Sequence, residues 1–336
     1  MGYTYRDAGV GYREQEELNR AAVSAAQEAM KGTFDSIGYT RTLSLGGRGV
    51  SLHMDGVGTK TLVLERTGAL WVAGWDCVAM NVNDLAVAGH RAVALVDYIA
   101  LPRPMPDTVE EIVGGVARAA RETGALLLGG ETAVLPGLAA GIDVVCAALG
   151  LEEYRPSPVG PGYELVGVES SGLHANGYSL ARLIVEERMG GYGARIGEST
   201  VGELLSKPTL IYHDLVLEAY RLGLAVAAAH LTGGGWAKLL RILAPGTEAV
   251  LEAPEPPPIF RALQEAGNVP LEEMYKVFNM GVGLVLATRP EHAEELVALV
   301  ERAGLHAYRL GATRQSTTGT KRLLIHVSSD EVLSIT

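Results

Sequence analysis

The sequence predicts an α/β protein, α+β in its mixed sheets, folded as two domains. Three observations carry this: the length, the alternation of short apolar runs with helix-periodic stretches, and a proline-rich break near the middle. At 336 residues the chain is about two domains long, and with 48% apolar residues it can bury a large core. Lys and Arg total 28 against 39 Asp and Glu, a formal charge of −11. That balance repels a phosphate backbone, so no nucleic-acid partner is expected. The first thirty residues lack the apolar core of a secretory signal. The longest apolar runs are interrupted, at Asp97 and His230 for instance, well short of the roughly 20 residues that span a bilayer. A cytoplasmic protein with no membrane partner is expected. Cys77 and Cys146 show neither CxxC nor metal-ligand spacing, so no disulfide framework or zinc site is expected, and Cys77 reads as a small core residue.

Each element follows in order. Val50 to His53 reads as a strand, followed by the loop Asp55-Gly56-Val57-Gly58-Thr59-Lys60 and a helix from Leu70 to Val87. Arg91 to Leu101 is β-rich, and Thr108 to Thr123 has Val109, Ile112, Val113 and Val116 at helical spacing. Ala125 to Leu128 is an apolar run, Gly129-Gly130-Glu131-Thr132 reads as a turn, and Asp143 to Leu149 is a further apolar run. Glu152 to Gly162 holds three prolines and no periodicity, which marks a boundary near Pro156 between domains 1–156 and 157–336. Beyond it, Tyr163 to Val168 is a strand leading into Ser170-Ser171-Gly172-Leu173-His174-Ala175-Asn176-Gly177 and a helix. His230 to Gly235 opens another helix, and Phe278 to Gly283 opens a strand.

The glycine clusters invite a nucleotide site, but neither GxxxxGK[ST] nor a strand-borne GxGxxG is present. Asp55 to Lys60 still offers a hard carboxylate for Mg²⁺, glycines that let backbone amides approach an anion, and a lysine. The alternative is a tight turn with Asp55 capping and Lys60 solvated. On the following helix Asp76, Met80, Asn83 and Asp84 share one broad face among apolar neighbours. Those carboxylates need neutralising, either by a divalent cation or by an arginine such as Arg91. Glu131 adds an acid after an apolar strand, where ligands often sit. The Ser170 to Gly177 loop suits a phosphate at a helix start, with His174 as an acid–base candidate, or else a plain cap. Thr232-Gly233-Gly234-Gly235 invites the same two readings. His53, His292 and His306 are read as structural or surface residues.

Taken in order, Tyr5 to Val10, Asp55 to Lys60, Asn83-Asp84-Leu85, Leu95 to Tyr98, Gly129 to Thr132, Ser170 to Leu180, His230 to Gly235 and Phe278 to Gly283 resemble the phosphoribosylformylglycinamidine cyclo-ligase family, the aminoimidazole ribonucleotide synthetases of purine biosynthesis. The resemblance runs from Tyr5 to about Thr313. It implies an ATP-dependent ring closure in which the amide oxygen, a poor leaving group, is first phosphorylated. A nitrogen of the amidine then attacks that carbon and phosphate leaves. It implies ATP and Mg²⁺ as cofactors, with Asp55, Asp84 and Glu131 as the acids that hold metal and phosphates. Gly56, Gly58, Thr59, Lys60 and Thr132 lie in the same phosphate-binding motifs. It places Ser171, Gly172, Gly233, Gly234 and Gly235 in the substrate cleft, with His174 and Asn176 as the catalytic candidates. It also implies a homodimer, each N-terminal sheet joining its partner's in a shared barrel beside a C-terminal α/β domain. One departure is the segment Lys31 to Tyr39, less glycine-rich than the family's. Selenophosphate synthetase resembles the chain in its acidic motifs but has a reactive Cys near its N-terminal segment, and none precedes Cys77 here. A hydrogenase-maturation relative would carry a C-terminal cysteine where this sequence reads Ser334-Ile335-Thr336. A silent nucleotide-binding homologue is the rival from another class, and retention of the acids and both cleft loops argues against it.

Overall fold

The computed structural model describes residues 2–36, 39–328 and 331–336; Ile37 and Gly38 of the Lys31 to Tyr39 segment lie outside the described residues. After helix α1 (Tyr12–Ala26), strands β1 (Thr33–Ser36), β2 (Thr40–Leu45) and β3 (Arg48–Gly56) run antiparallel. The β2–β3 turn is Gly46-Gly47, both at positive φ (59° and 81°), the conformation a two-residue hairpin demands. The chain continues through α2 (Lys60–Thr67), α3 (Trp71–Val87), β4 (His90–Leu101), α4 (Pro106–Thr123), β5 (Leu126–Val134) and β6 (Asp143–Glu152). These strands make one six-stranded sheet, ordered β1-β2-β3-β6-β4-β5, with β4 and β5 parallel. Helices α3 and α4 cover one face of it and cross at two glycines: a Cβ on Gly74 or on Gly115 would collide with the other helix's backbone, at Ile112 and Trp71 respectively.

The second unit contains β7 (Glu164–Glu169), α5 (Tyr178–Arg188), a small hairpin of β8 (Arg195–Ile196) and β9 (Ser199–Thr200), α6 (Val201–Leu205), α7 (His213–Arg221) and β10 (Ala227–His230). It continues with β11 (Thr247–Glu252), α8 (Pro258–Gly267), α9 (Leu271–Val277), β12 (Val282–Thr288), α10 (Ala293–Arg302), β13 (Ala307–Gln315), β14 (Arg322–His326) and β15 (Val332–Ile335). Its seven-stranded sheet is ordered β10-β12-β7-β13-β11-β14-β15. Each unit has its own apolar core, and a third cluster joins Ala86 to Ala88, at the end of α3, to Tyr212, Val216 and Tyr220. No helix among the described residues is long and apolar enough to cross a membrane.

Four expectations change. Gly129 to Thr132 is not a turn but the middle of β5, which follows a register shift at Leu95 and Val96 on its neighbour; glycine spacing cannot distinguish a turn from a strand that bends. The helix after Gly233 is a seven-residue 3-10 segment, Gly235–Arg241. The first residues, counted with domain 1–156, pack on the second unit: Tyr3 N–H donates to Gly267 O and Tyr5 N–H to Glu273 Oε1 (2.9 and 2.8 Å). Finally, Cys77 and Cys146 are joined as a disulfide, with Cα atoms 5.5 Å apart. The long sequence separation hid a short distance, because α3 lies directly on β6.

Candidate active site

The end of β3 and the buried helix α3 build the centre of the site. Asp84, on α3, lies between two histidines that come from different units. His230 Nδ1–H donates to Asp84 Oδ1 (2.7 Å), and His53 Nε2 lies 3.4 Å from Asp84 Oδ2. His53 Nδ1–H donates to Asn81 Oδ1 (2.9 Å), and Asn81 in turn donates to the Asp55 carbonyl (3.2 Å). Burial works against charge on both His53 and Asp84, but the contacts of Asp84 with His230 and then His53, and of His53 with Asp84 and Asn81, outweigh it. The Asp84 carboxyl is held well below the usual carboxylate range, and His53 is raised above the ordinary histidine value. Two acceptors around one imidazole favour its cation.

This corrects two readings. Asp84 meets two histidines rather than Arg91, which pairs with Glu153 and Asp214, and Asp76 is taken by Lys60. His53, read as structural or surface, belongs to the site. Its signal was present in the sequence: β3 alternates, so His53 and Asp55 face the same way toward α3.

Lys60 behaves differently from the phosphate ligand expected of it. Its ammonium is fully buried and donates to Asp76 Oδ2 (2.5 Å) and to the carbonyls of His174 and Lys207 (both 2.7 Å). All three of its donors are satisfied by protein, and none is left for a phosphate. Burial pushes Lys60 down and Asp76 up, each opposed by the other's charge. Asp76 Oδ1 also accepts Thr209 N–H (2.7 Å), while Asn83 accepts Tyr212 N–H (2.7 Å) and donates to Leu210 O (2.9 Å). The polar stripe on α3 therefore divides its work. Asp76 and Asn83 bind the backbone of 207–212 in the second unit, and Asp84 faces the site. Thr59 Oγ1 also bridges the units, 3.1 Å from Ser179 Oγ, and Gly58 makes the intervening turn at φ 63°.

In the second unit, Ser171 Oγ–H donates to Pro208 O (2.5 Å), and Ser171 N–H donates to His174 Nε2 (3.2 Å). The Gly172 carbonyl accepts from Ser170 and Asn279 (both 2.9 Å). His174 sits at φ 59° and is 1% exposed, with its Nδ1 unpartnered. Burial, then His230 and Lys60, push its pKa well below the ordinary value, so it is held neutral. The expected acid–base residue is enclosed in this conformation. Asn176 lies closer to the cleft: its Nδ2 is also unpartnered, and its Oδ1 faces Gly233, where a Cβ would come within 3.3 Å. Gly234 and Gly235 follow at positive φ, and a Cβ on Gly235 would collide with the Tyr275 carbonyl.

The three acids expected to share a metal are not brought together within one chain. Glu131 is in register with Tyr98, which is in register with Val145 and so with Gly56. Directly paired residues share a face, so Glu131 lies on the open face of the sheet with Tyr98, opposite the face that carries Asp55. Thr132, one residue on, is exposed on the same edge strand. Among the described residues no three His, Cys, Asp or Glu side chains form a metal-holding group. The row through Asp55 contains a residue without an assigned role, Asp97, two strands away across Cys146. Asp97 leans over Gly130, where a Cβ would overlap its carboxylate. Burial raises the pKa of both Asp97 and Asp55, with the Asp84 charge adding to it at Asp55. Two desolvated carboxylates without a cation in contact are the donor chemistry a hard divalent ion takes, and a glycine leaves the space beside one of them. In donor chemistry each carboxylate fits Mg²⁺, with their backbones two strand spacings, about 10 Å, apart.

The comparisons with known proteins identify the family. The family model described as AIR synthase related protein, N-terminal domain, matches residues 40–151, and the corresponding C-terminal domain matches 160–321. The phosphoribosylformylglycinamidine cyclo-ligase of Saccharolobus solfataricus is 41% identical, covering 91% of this chain and 92% of its own. That of Pyrococcus furiosus is 38% identical, with 89% and 92% covered. Among solved structures, hydrogenase maturation protein HypE superposes with a TM-score of 0.65 at 18% identity, covering 91% of this chain and 95% of that one. T. maritima PurL complexed with ADP gives 0.60 at 15%, covering 90% and 45%. At those identities the two structures speak to the fold alone. Matches to both family domains, and relatives this similar over nine-tenths of the chain, place the protein in the phosphoribosylformylglycinamidine cyclo-ligase family.

Proposed function

We propose that this protein closes the imidazole ring of aminoimidazole ribonucleotide from phosphoribosylformylglycinamidine, consuming ATP in de novo purine biosynthesis. The observation that carries the reading is the set of groups converging where the two units meet. Asp55, Asp97 and the His53–Asp84–His230 cluster lie on one side, with Asn176 and the Gly233 to Gly235 loop on the other. The γ-phosphoryl group of ATP passes to the formyl-derived amide oxygen, forming one O–P bond as the bond to ADP breaks. The amidine nitrogen then attacks the activated carbon, loses a proton, and expels phosphate. Asp55 and Asp97 would hold Mg²⁺, which supplies charge neutralisation for the transferring phosphoryl group. The glycines Gly56 and Gly58 bring the backbone close to the phosphates. Asp84 fixes both histidines, so that one ionised carboxylate sets their orientation, and the unpartnered Asn176 amide is placed to donate to substrate. His174, held neutral behind this loop, supports its shape.

The division of labour follows: residues 1–156 for ATP, Mg²⁺ and dimerisation, 157–336 for the substrate cleft. The open face of the first sheet carries Leu52 and Met54, 71% and 73% exposed, with Leu126 and Leu128 on the edge strand β5 at 65% and 68%. So much apolar surface on one face calls for a partner, and a second copy closing a shared barrel would cover it and take Glu131 into the interface. A cytoplasmic homodimer is the resulting picture. The test is phosphate release from ATP by purified protein with Mg²⁺, with and without the amidine. Release equal to ring formation and dependent on the amidine is expected; hydrolysis that ignores the amidine would move the chain to another acceptor.

A further inference from the structure

Beside the catalytic cluster lies a cleft of about 470 Å³, lined by Gly233, Gly234, Lys238, Arg241 and Lys276. The cations come together for a reason of geometry. Gly235–Arg241 is a 3-10 helix, and three residues per turn place Lys238 and Arg241 one above the other. Both stand over the ring of Tyr39, at 5.9 and 5.4 Å from its centroid. Tyr39 is itself buried, and its hydroxyl accepts the His230 N–H at 3.1 Å, so the cations are tied to the same histidine that holds Asp84. Lys276 is already paired with Glu272 (2.5 Å). Lys238 has no carboxylate at ion-pair distance among the described residues. Burial and the neighbouring Arg241 charge lower its pKa, with the Asp84 and Asp55 charges opposing. Stacking two cations and desolvating one of them costs free energy that a further anion in the cleft would offset.

We propose that Lys238 and Arg241, carried on the Tyr39 ring, form a phosphate-binding pair that receives a phosphate group of a reactant. This deepens the cyclo-ligase reading and rests on it for the identity of the ligand. Two sources share the chemistry, the phosphate monoester of the phosphoribosyl substrate and the tail of the nucleotide. Adjacency to the Gly233 loop favours the monoester. A guanidinium offers paired donors to phosphate oxygens, and an ammonium supplies a point charge.

The test has a binding arm and a kinetic arm, on the full chain. Titration calorimetry with ribose 5-phosphate should show binding that weakens about tenfold or more in Lys238→Met and in Arg241→Met; equal binding in all three proteins overturns the proposal. In steady state, Lys238→Met should raise KM for the amidine about tenfold or more, with KM for ATP and kcat little changed. A rise confined to KM for ATP assigns the pair to the nucleotide tail and still supports a phosphate site. A fall in kcat with both KM values unchanged overturns it. Lys238→Arg should restore most of the loss, and a melting midpoint matching the parent's excludes misfolding as the cause. If the amidine is not turned over by the parent protein, the function falls, while the calorimetric arm still decides the phosphate pair.

Discussion

The two sheets are built from the same kinds of parts and finished differently. In the second unit, β12 and β10 are buried at every position, because helices and neighbouring strands close both faces. In the first, β3 and β5 leave large apolar side chains in solvent on the face away from α3 and α4. One sheet is complete within the chain, and the other has a core only on one side. The difference teaches where to look for assembly: the first unit supplies both the proposed dimer surface and most of the acidic groups, so association and chemistry share one sheet.

Charging each sheet in turn should break this comparison most sharply. Leu284→Glu places an unpaired carboxylate in a closed core and should cost more than about 4 kcal/mol, seen as loss of folded protein by circular dichroism. Met54→Glu on the open sheet should leave each chain folded but convert a dimer to a monomer in sedimentation. A dimer that survives it would remove the open face from the interface. The disulfide belongs to the first unit alone. Cys77→Ala should destabilise that unit by about 4 kcal/mol, as expected for a crosslink closing a loop of this length, and should split thermal unfolding into two transitions with the second unit's unchanged. Asp84→Asn should lower amidine-dependent phosphate release by about two orders of magnitude, the scale of removing a preorganised electrostatic group, with the fold retained.

The smallest effect distinguishes the two histidines by pH. His53 is raised, so its contribution to stability is full below the ordinary histidine value and fades as pH rises through its higher folded value. His174 is lowered, so the unfolded chain takes up its proton first and stability falls as pH drops below the ordinary value. Melting curves of His53→Asn and His174→Asn across pH 5 to 9 should therefore differ from the parent at opposite ends of the range. A common trend in the two variants would contradict the shifts.

Much of this was legible from periodicity. The helix read from Leu70 to Val87 forms over Trp71–Val87, and the β-rich stretch from Arg91 forms over His90–Leu101, because apolar spacing reports burial and burial made these elements. Charge pairing was not legible. That Asp84 meets His230, or Lys60 the His174 carbonyl, depends on two units docking, and one-dimensional spacing carries no such distance. Glu131 is the opposite case: its motif is visible in the sequence, but the face of the strand it occupies follows from a register shift at Leu95 and Val96 that leaves no mark in the pattern.

The buried ammonium of Lys60 has a mechanical consequence. Its bonds reach α3 on one side and the 174 and 207 carbonyls on the other, so it acts as a rivet through the joint between the units. Opening the joint would leave the Lys60–Asp76 pair intact but strip the two charge-assisted hydrogen bonds to the 174 and 207 carbonyls, at about 1.5–3 kcal/mol each, which would leave the units swung open on the order of once in 10² to 10⁴. An enzyme riveted at that point does not admit its substrates by gaping like a jaw. The rim of the cleft, where Gln15 and Asn19 of α1 line it, is a way to the Gly233 loop that does not require the units to part.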